Sequence, residues 1–156
     1  MKRNKKVYVP MAADILHSGH INIINVARDL GEVTIGLLSD KAIMNYKRLP
    51  LIEIEKRKII VENIKGVKSI IIQDTYDYEP ILRKLKPDYL VHGDDWKTGI
   101  QSKMREKVIN ILKEWGGELV EPEYTKGISS AVLSDELTKN GITTEARRKL
   151  LRRLLS

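Results

Sequence analysis

No cysteine and no phenylalanine occur in this chain of 156 residues. Without cysteine there is no disulfide framework, no thiolate nucleophile and no cysteine-held zinc or iron–sulfur cluster, and a cytoplasmic location is the default expectation. Aromatic residues make up 5% of the sequence, so the rings on which single-stranded nucleic acids stack are thinly supplied. Long apolar runs are missing too: nothing approaches the ~18 uninterrupted apolar residues that cross a bilayer, which excludes a membrane span. The basic start, Met1 to Lys6, leads only into the apolar run Val7 to Ala13, broken by Pro10 and ended by Asp14. It reads as a solvated lead into a buried strand rather than as a secretion signal. Serine-rich and proline-rich tracts are absent as well. What remains is 42% apolar and 31% charged, the composition of a folded chain of one-domain size.

The net charge of +7 would suggest a nucleic-acid partner if it were spread over a folded surface. It is concentrated at the ends instead, in Lys2, Arg3, Lys5 and Lys6 and in Arg147, Arg148, Lys149, Arg152 and Arg153. The body between them is close to neutral, and no nucleic-acid partner is expected. Leu150, Leu151, Leu154 and Leu155 give the basic tail an apolar stripe that a following domain or a second subunit would cover. The chain thus divides into a body, residues 1–140, and a basic helical tail, residues 141–156.

Within the body, short β-rich runs alternate with segments of helical period. Val7–Val9, Val33–Leu38, Ser69–Ile72, Tyr89–Val91 and Glu118–Val120 read as strands. Ser18–Leu30, Ile52–Ile64, Tyr78–Leu85, Gln101–Trp115 and Ser129–Leu137 read as helices; the first carries Ile21, Ile24, Ala27 and Leu30 on one face and stops at Gly31. Strands separated by helices of this length predict an α/β fold, a Rossmann-like parallel five-stranded sheet with helices on both faces. Such sheets bind ligands beyond the carboxyl ends of their strands, where the strand order reverses. The notable polar residues fall there: Asp14 to His20 after the first strand, His92 to Asp95 after the fourth and Tyr124 to Ser130 after the fifth.

His17-Ser-Gly-His20 lies where the first strand turns into the first helix. Two imidazoles three residues apart at a helix start point the same way, beside free backbone N–H groups and the positive end of the helix dipole, which suits a polyanion. Gly19 is expected to let a ligand come close to the backbone. Zinc on Asp14, His17 and His20 is a weaker reading, because histidine zinc sites normally use a pair four residues apart or recruit a further ligand. Ser129 and Ser130, with the free N–H groups of the last helix, again suit phosphate, and Ser129 alone would also serve as an N-cap.

At this point the residues resemble a family. Val7-Tyr-Val9-Pro-Met11-Ala12-Ala-Asp14-Ile-Leu-His17-Ser-Gly19-His20 is similar to the opening strand and His-x-Gly-His signature of the cytidylyltransferase-like nucleotidyltransferases. Gly93-Asp-Asp95-Trp96 is similar to a motif of glycerol-3-phosphate cytidylyltransferases, and Thr125-Lys126-Gly127-Ile128-Ser129-Ser130 to their Arg-Thr-x-Gly-Ile-Ser-Thr-Thr. The sequence departs where the family's Gly-Thr-Phe-Asp is Met11-Ala12-Ala13-Asp14 and where Tyr124 replaces an arginine. These departures resemble the cytidylyltransferase domains fused to phosphoenolpyruvate mutases of phosphonate biosynthesis, and the tail from Thr144 resembles the lead-in helix of such a mutase.

The resemblance implies in-line attack by a phosphonate or phosphate oxygen on the α-phosphorus of CTP, with pyrophosphate leaving and magnesium carried mainly by the CTP phosphates. His17, His20 and Lys47 are the implied catalytic residues. Val9, Met11, Ala12, Asp14, Gly19, His92, Gly93, Asp95, Tyr124, Thr125, Gly127, Ile128, Ser129 and Ser130 are implied to bind the nucleotide, with an acidic side chain of the Asp94–Asp95 pair accepting from the cytosine amino group and Trp96 packing nearby. Arg48, Arg57 and Lys126 are implied to bind the substrate, Arg57 through its acidic group. Asp14 is expected to orient a histidine or Lys47. A metal-binding side chain is not assigned. The expected partners are CTP, a small phosphonate or phosphate acceptor such as 2-hydroxyethylphosphonate, a second copy in a homodimer and a fused mutase domain. Rival readings are synthesis of CDP-glycerol, use of ATP in place of CTP, and a nucleotide-binding module without turnover.

Overall fold

The computed structural model of the chain describes residues 4–46, 48–123 and 125–139, together with Arg148 and Arg152. The expected tail, residues 141–156, Lys47 and Tyr124 therefore lie outside the described residues, apart from those two arginines. Five strands, β1 (Lys6–Met11), β2 (Glu32–Leu38), β3 (Val67–Gln73), β4 (Tyr89–Val91) and β5 (Glu118–Val120), pair in the order β3-β2-β1-β4-β5. Every pairing is parallel, so the predicted sheet is the one found.

Alternation along β1 sends its side chains to two cores. Val7, Val9 and Met11 join Ile24 and Ala27 of α1 (Ser18–Leu30) and Val61 of α3 (Ile54–Glu62) on one face. Tyr8 joins Leu82 of α4 (Glu79–Leu85) and Val108, Ile111 and Leu112 of α5 (Ser102–Lys113) on the other. A strand buried on both sides has no polar face to show, which is why β1 and β4 read as continuous apolar runs. The last helix is α6 (Ser130–Lys139).

Three differences from the sequence reading have physical causes. First, β1 continues through Pro10, which pairs opposite Gly36. Proline lacks the N–H of a central strand, but β4 pairs with β1 only at Val7 and Tyr8, so Pro10 stands past that ladder, where the two strands part. Second, a five-residue helix, α2 (Asp40–Met44), follows β2, capped by the Ser39 hydroxyl, which accepts from the Ala42 N–H at 3.2 Å. It is too short to show a period in the sequence. Third, α3 is turned against its pattern: Arg57 is 0% exposed, while Ile59 and Ile60 are 58% and 44% exposed.

Candidate active site

A pocket of about 300 Å³ opens over the carboxyl ends of β1 and β4, the two neighbouring strands at which the order reverses. Pro10, Met11 and Ala12 form its floor, Leu38 closes the β2 side, and His92 and Gly93 close the β4 side.

One wall is the start of α1. His17 is the N-cap, in extended backbone, and its Nδ1 accepts from the Gly19 N–H at 3.1 Å. The N–H of His17 in turn donates to Nδ1 of His20 at 3.3 Å, so the two histidines form a reciprocal capping box with ring centroids 4.2 Å apart. Because each Nδ1 accepts, a neutral ring carries its proton on Nε2 and is a donor there. Gly19 serves a purpose the sequence did not suggest: a Cβ at this position would lie 2.8 Å from Cε1 of His17, so the missing side chain makes room for the capping ring. Asn22 of α1 donates to the Thr125 hydroxyl at 3.0 Å and ties this wall to the segment after β5. There Gly127 has φ +80, a left-handed conformation that favours glycine, and the chain turns into α6. Ser129 Oγ accepts from the Val132 N–H at 3.0 Å and caps that helix, while Thr125, Ile128, Ser129 and Ser130 face the pocket.

The other wall is aromatic. Tyr46 and Tyr76 stack with centroids 4.7 Å apart, Tyr78 stands 6.1 Å from Tyr76 and 6.0 Å from Trp96, and His92 lies flat on Trp96 at 3.8 Å. Burial pushes the Tyr46 hydroxyl up to about 12, with smaller contributions from Tyr76 and Asp95, and raises Tyr76 and Tyr78 in the same direction, so all three phenols stay protonated. Burial lowers His92, and its ring is neutral near pH 7. His92 Nδ1 faces the Gly93 carbonyl at 2.7 Å and donates to it, which leaves the lone pair on Nε2. The turn beneath is pinned from behind: Trp96 Nε1 donates to Glu121 at 2.7 Å, and Arg105 holds the same carboxylate with two bonds, of 2.7 and 2.8 Å. Asp95, 55% exposed, stands 3.7 Å from His92.

Twelve expected site residues line this pocket: Met11, Ala12, His17, Gly19, His20, His92, Gly93, Asp95, Thr125, Ile128, Ser129 and Ser130. Val9, Asp14, Arg48, Arg57, Lys126 and Gly127 do not line it. Val9 is core. Asp14 is occupied by a neighbouring segment, accepting from the N–H groups of Leu51 and Ile52 at 2.8 and 2.9 Å and pairing with Arg48 at 2.7 Å. Its carboxylate thus clasps the loop after α2, with Arg48 as half of that clasp, while Lys47, the other group it was expected to orient, lies outside the described residues. Arg57 is engaged likewise. Its guanidinium donates to the carbonyls of Ala12, Leu38 and Ile52 and pairs with Asp40, so it braces the ends of β1 and β2 from below.

Tyr46, Tyr76, Tyr78, Gln101 and Glu123 line the pocket without having been singled out in the sequence. A usable signal existed for two of them, since Tyr76 and Tyr78 follow the carboxyl end of β3, the same kind of position that drew attention to His17 and Asp95. Among the described residues no lysine or arginine lines the pocket, and the donors it offers a polyanion are helix N-termini and imidazole N–H groups, beside the carboxylates of Asp95 and Glu123.

Comparison with known proteins bears on the family and the fold. The chain is 29% identical over 147 residues to the bifunctional protein HldE of Helicobacter hepaticus, covering 91% of this chain and 28% of that one. It is 33% identical over 96 residues to the ethanolamine-phosphate cytidylyltransferase of Arabidopsis thaliana, covering 58% of this chain and 23% of that one. It thus spans roughly a quarter of the length of these relatives. The crystal structure of the lipopolysaccharide core biosynthesis protein from Thermoplasma volcanium GSS1 superposes with a TM-score of 0.66 at 21% identity, over 81% of this chain and 100% of that one, and shares the fold. Residues 12–149 match the family described as cytidylyltransferase-like, a stretch that holds both histidines, the aspartates after β4 and the glycine turn before α6. The chain belongs to the cytidylyltransferase-like family of nucleotidyltransferases.

Proposed function

We propose that the chain transfers CMP from CTP to a small phosphonate and releases pyrophosphate. The observation that carries this reading is the histidine capping box: two imidazoles locked through Nδ1 at the N-terminus of a helix, beside Thr125, Ser129 and Ser130 in one pocket. An oxygen of the acceptor's phosphonate attacks the α-phosphorus, a new P–O bond forms, and the bond to the β-phosphate oxygen breaks with its electron pair leaving on pyrophosphate. No enzyme nucleophile takes part. His17 and His20 donate from Nε2 to the oxygens on which charge builds, and the helix N-terminus adds its partial positive charge. The rings need no rearrangement as the reaction proceeds, because the capping box has already set their orientation.

Thr125, Ser129 and Ser130 bind the remaining phosphate oxygens, and Lys126 and Lys47 are the proposed cations for the leaving group. Magnesium would enter with the nucleotide. Among the described residues no three carboxylates or imidazoles gather as a ligand set, and phosphate oxygens with water are the usual ligands of this ion. The ion's part is to offset triphosphate charge. Incubating the chain with CTP, magnesium and small phosphonates should release pyrophosphate and form the CMP ester. Absence of turnover overturns the reading, glycerol 3-phosphate as the better acceptor replaces it with CDP-glycerol synthesis, and stronger thermal stabilisation by ATP than by CTP overturns the base assignment.

A further inference from the structure

Glu121 follows β5 with its side chain 11% exposed, and it does not line the pocket. Its carboxylate accepts from Trp96 Nε1 at 2.7 Å and from two nitrogens of Arg105 at 2.7 and 2.8 Å, with Lys97 at 3.9 Å. Hydrogen bonding to Arg105, foremost, holds the carboxyl below the usual carboxylate range, so at neutral pH it is an anion and a strong acceptor for the indole N–H. Trp96 is 1% exposed and does not line the pocket either, but His92, which does, lies on it with the ring planes 11° apart. That stack and the Nδ1 bond to the Gly93 carbonyl hold the His92 ring, and the lone pair on Nε2 has no partner among the described residues. An ionised triphosphate has no proton to give, so this lone pair calls for an N–H or O–H. The turn after β4 adjoins the histidine wall: a Cβ on Gly93 would lie 3.6 Å from Cδ1 of Ile23, which stands one turn after His20 on the same face of α1. A nucleotide with its phosphates at His17 and His20 has its nucleoside, with amino and hydroxyl hydrogens, in reach of His92.

We infer that Glu121 is a positioning residue for the nucleotide: by holding Trp96 it keeps the His92 ring flat against the indole, with Nε2 turned to an N–H or O–H of the nucleoside. This rests on the transferase reading above and gives a task to a residue that touches no ligand. Without the carboxylate, the indole N–H and the Arg105 guanidinium both lose their acceptor, Trp96 is free to shift, and the His92 ring turns with it.

The test is the affinity of the full chain for CTP, with magnesium and no acceptor, by calorimetric titration, beside turnover with small phosphonates. Glu121→Ala should weaken CTP binding about tenfold, the worth of one hydrogen bond, while kcat at saturating CTP stays within about threefold. Glu121→Gln, which keeps an oxygen for the indole, should recover affinity to within about threefold of the unmodified chain. In a His92→Ala background, Glu121→Ala should cost nothing further, because both changes remove the same bond. Where the thermal midpoint shows that Glu121→Ala does not fold, Trp96→Phe, which keeps a ring and loses the N–H, should give the same loss. Undiminished CTP affinity in the folded variant, or losses that add in the double variant, overturns the inference, and so does a change confined to the acceptor's KM. If the unmodified chain binds CTP but turns over no phosphonate, the transferase reading fails alone and the affinities still decide the inference. If it binds no CTP, both fail.

Discussion

The histidine wall of the pocket is made by four consecutive residues, 17–20, whereas the aromatic wall gathers Tyr46, Tyr76, Tyr78 and His92 from three separate connections between strands and helices. The first is a local object: one helix start supplies the cap, the dipole and both rings, and the rings hold each other. The second exists only because parallel strands bring their carboxyl ends together. On the proposed reading, the histidine wall handles what every nucleoside triphosphate has in common, which leaves the tyrosines of the aromatic wall to distinguish one acceptor from another. Changes at the first should therefore lower turnover for all acceptors, and changes at those tyrosines should alter the choice among them.

Removing the brace common to both walls should have the largest effect. Arg57→Met takes donors from the carbonyls of Ala12, Leu38 and Ile52. At roughly 1 kcal/mol each, the loss should be about 3 kcal/mol in urea unfolding. A loss near zero would mean that Arg57 braces nothing. Next, His17→Ala or His20→Ala should lower turnover about 10²-fold with every acceptor, as expected for loss of a donor to developing charge. A change confined to one acceptor would erase the division between the walls. Gly19→Ala places a Cβ 2.8 Å from the His17 ring and should lower turnover by about tenfold through displacement of that ring.

The smallest effect sharpens the aromatic wall through pH. Burial holds His92 below its ordinary value of about 6.5, so the folded chain binds fewer protons there than the unfolded chain. The stability this group contributes is present above that ordinary value and is lost as the pH falls below it toward the folded value. His92→Gln should flatten this part of the curve of thermal midpoint against pH, while His17 and His20 stay in place. An unaltered curve would show that His92 is not held neutral by burial.

The same contrast between local and assembled features governs what could be read from the sequence. The span Ser18–Leu30 was legible to the residue, because its apolar spacing and Gly31 are signals within one turn of each helix end. Tyr89–Val91 and Glu118–Val120 were legible as strands for the same reason. Arg57 was not, since on a helix rich in Glu, Lys and Arg a buried guanidinium looks like a solvated one until its partners, far away in sequence at Ala12 and Leu38, are in place. The Asp14 clasp was not legible either: its bonds to Leu51 and Ile52 span a loop whose path no local pattern sets. The tyrosines had positions consistent with a site but no spacing to join them, and only the closing of the sheet makes Tyr46 the neighbour of Tyr76.

The central claim, that His17 and His20 grip a triphosphate through Nε2, is tested most directly by the nitrogen and proton resonances of the histidine rings before and after addition of magnesium and CTP. The account predicts that both rings are protonated on Nε2 in the free protein, with Nδ1 unprotonated, and that CTP moves the Nε2–H signals of these two rings. Rings protonated on Nδ1, or Nε2–H signals that do not respond to CTP, would contradict it.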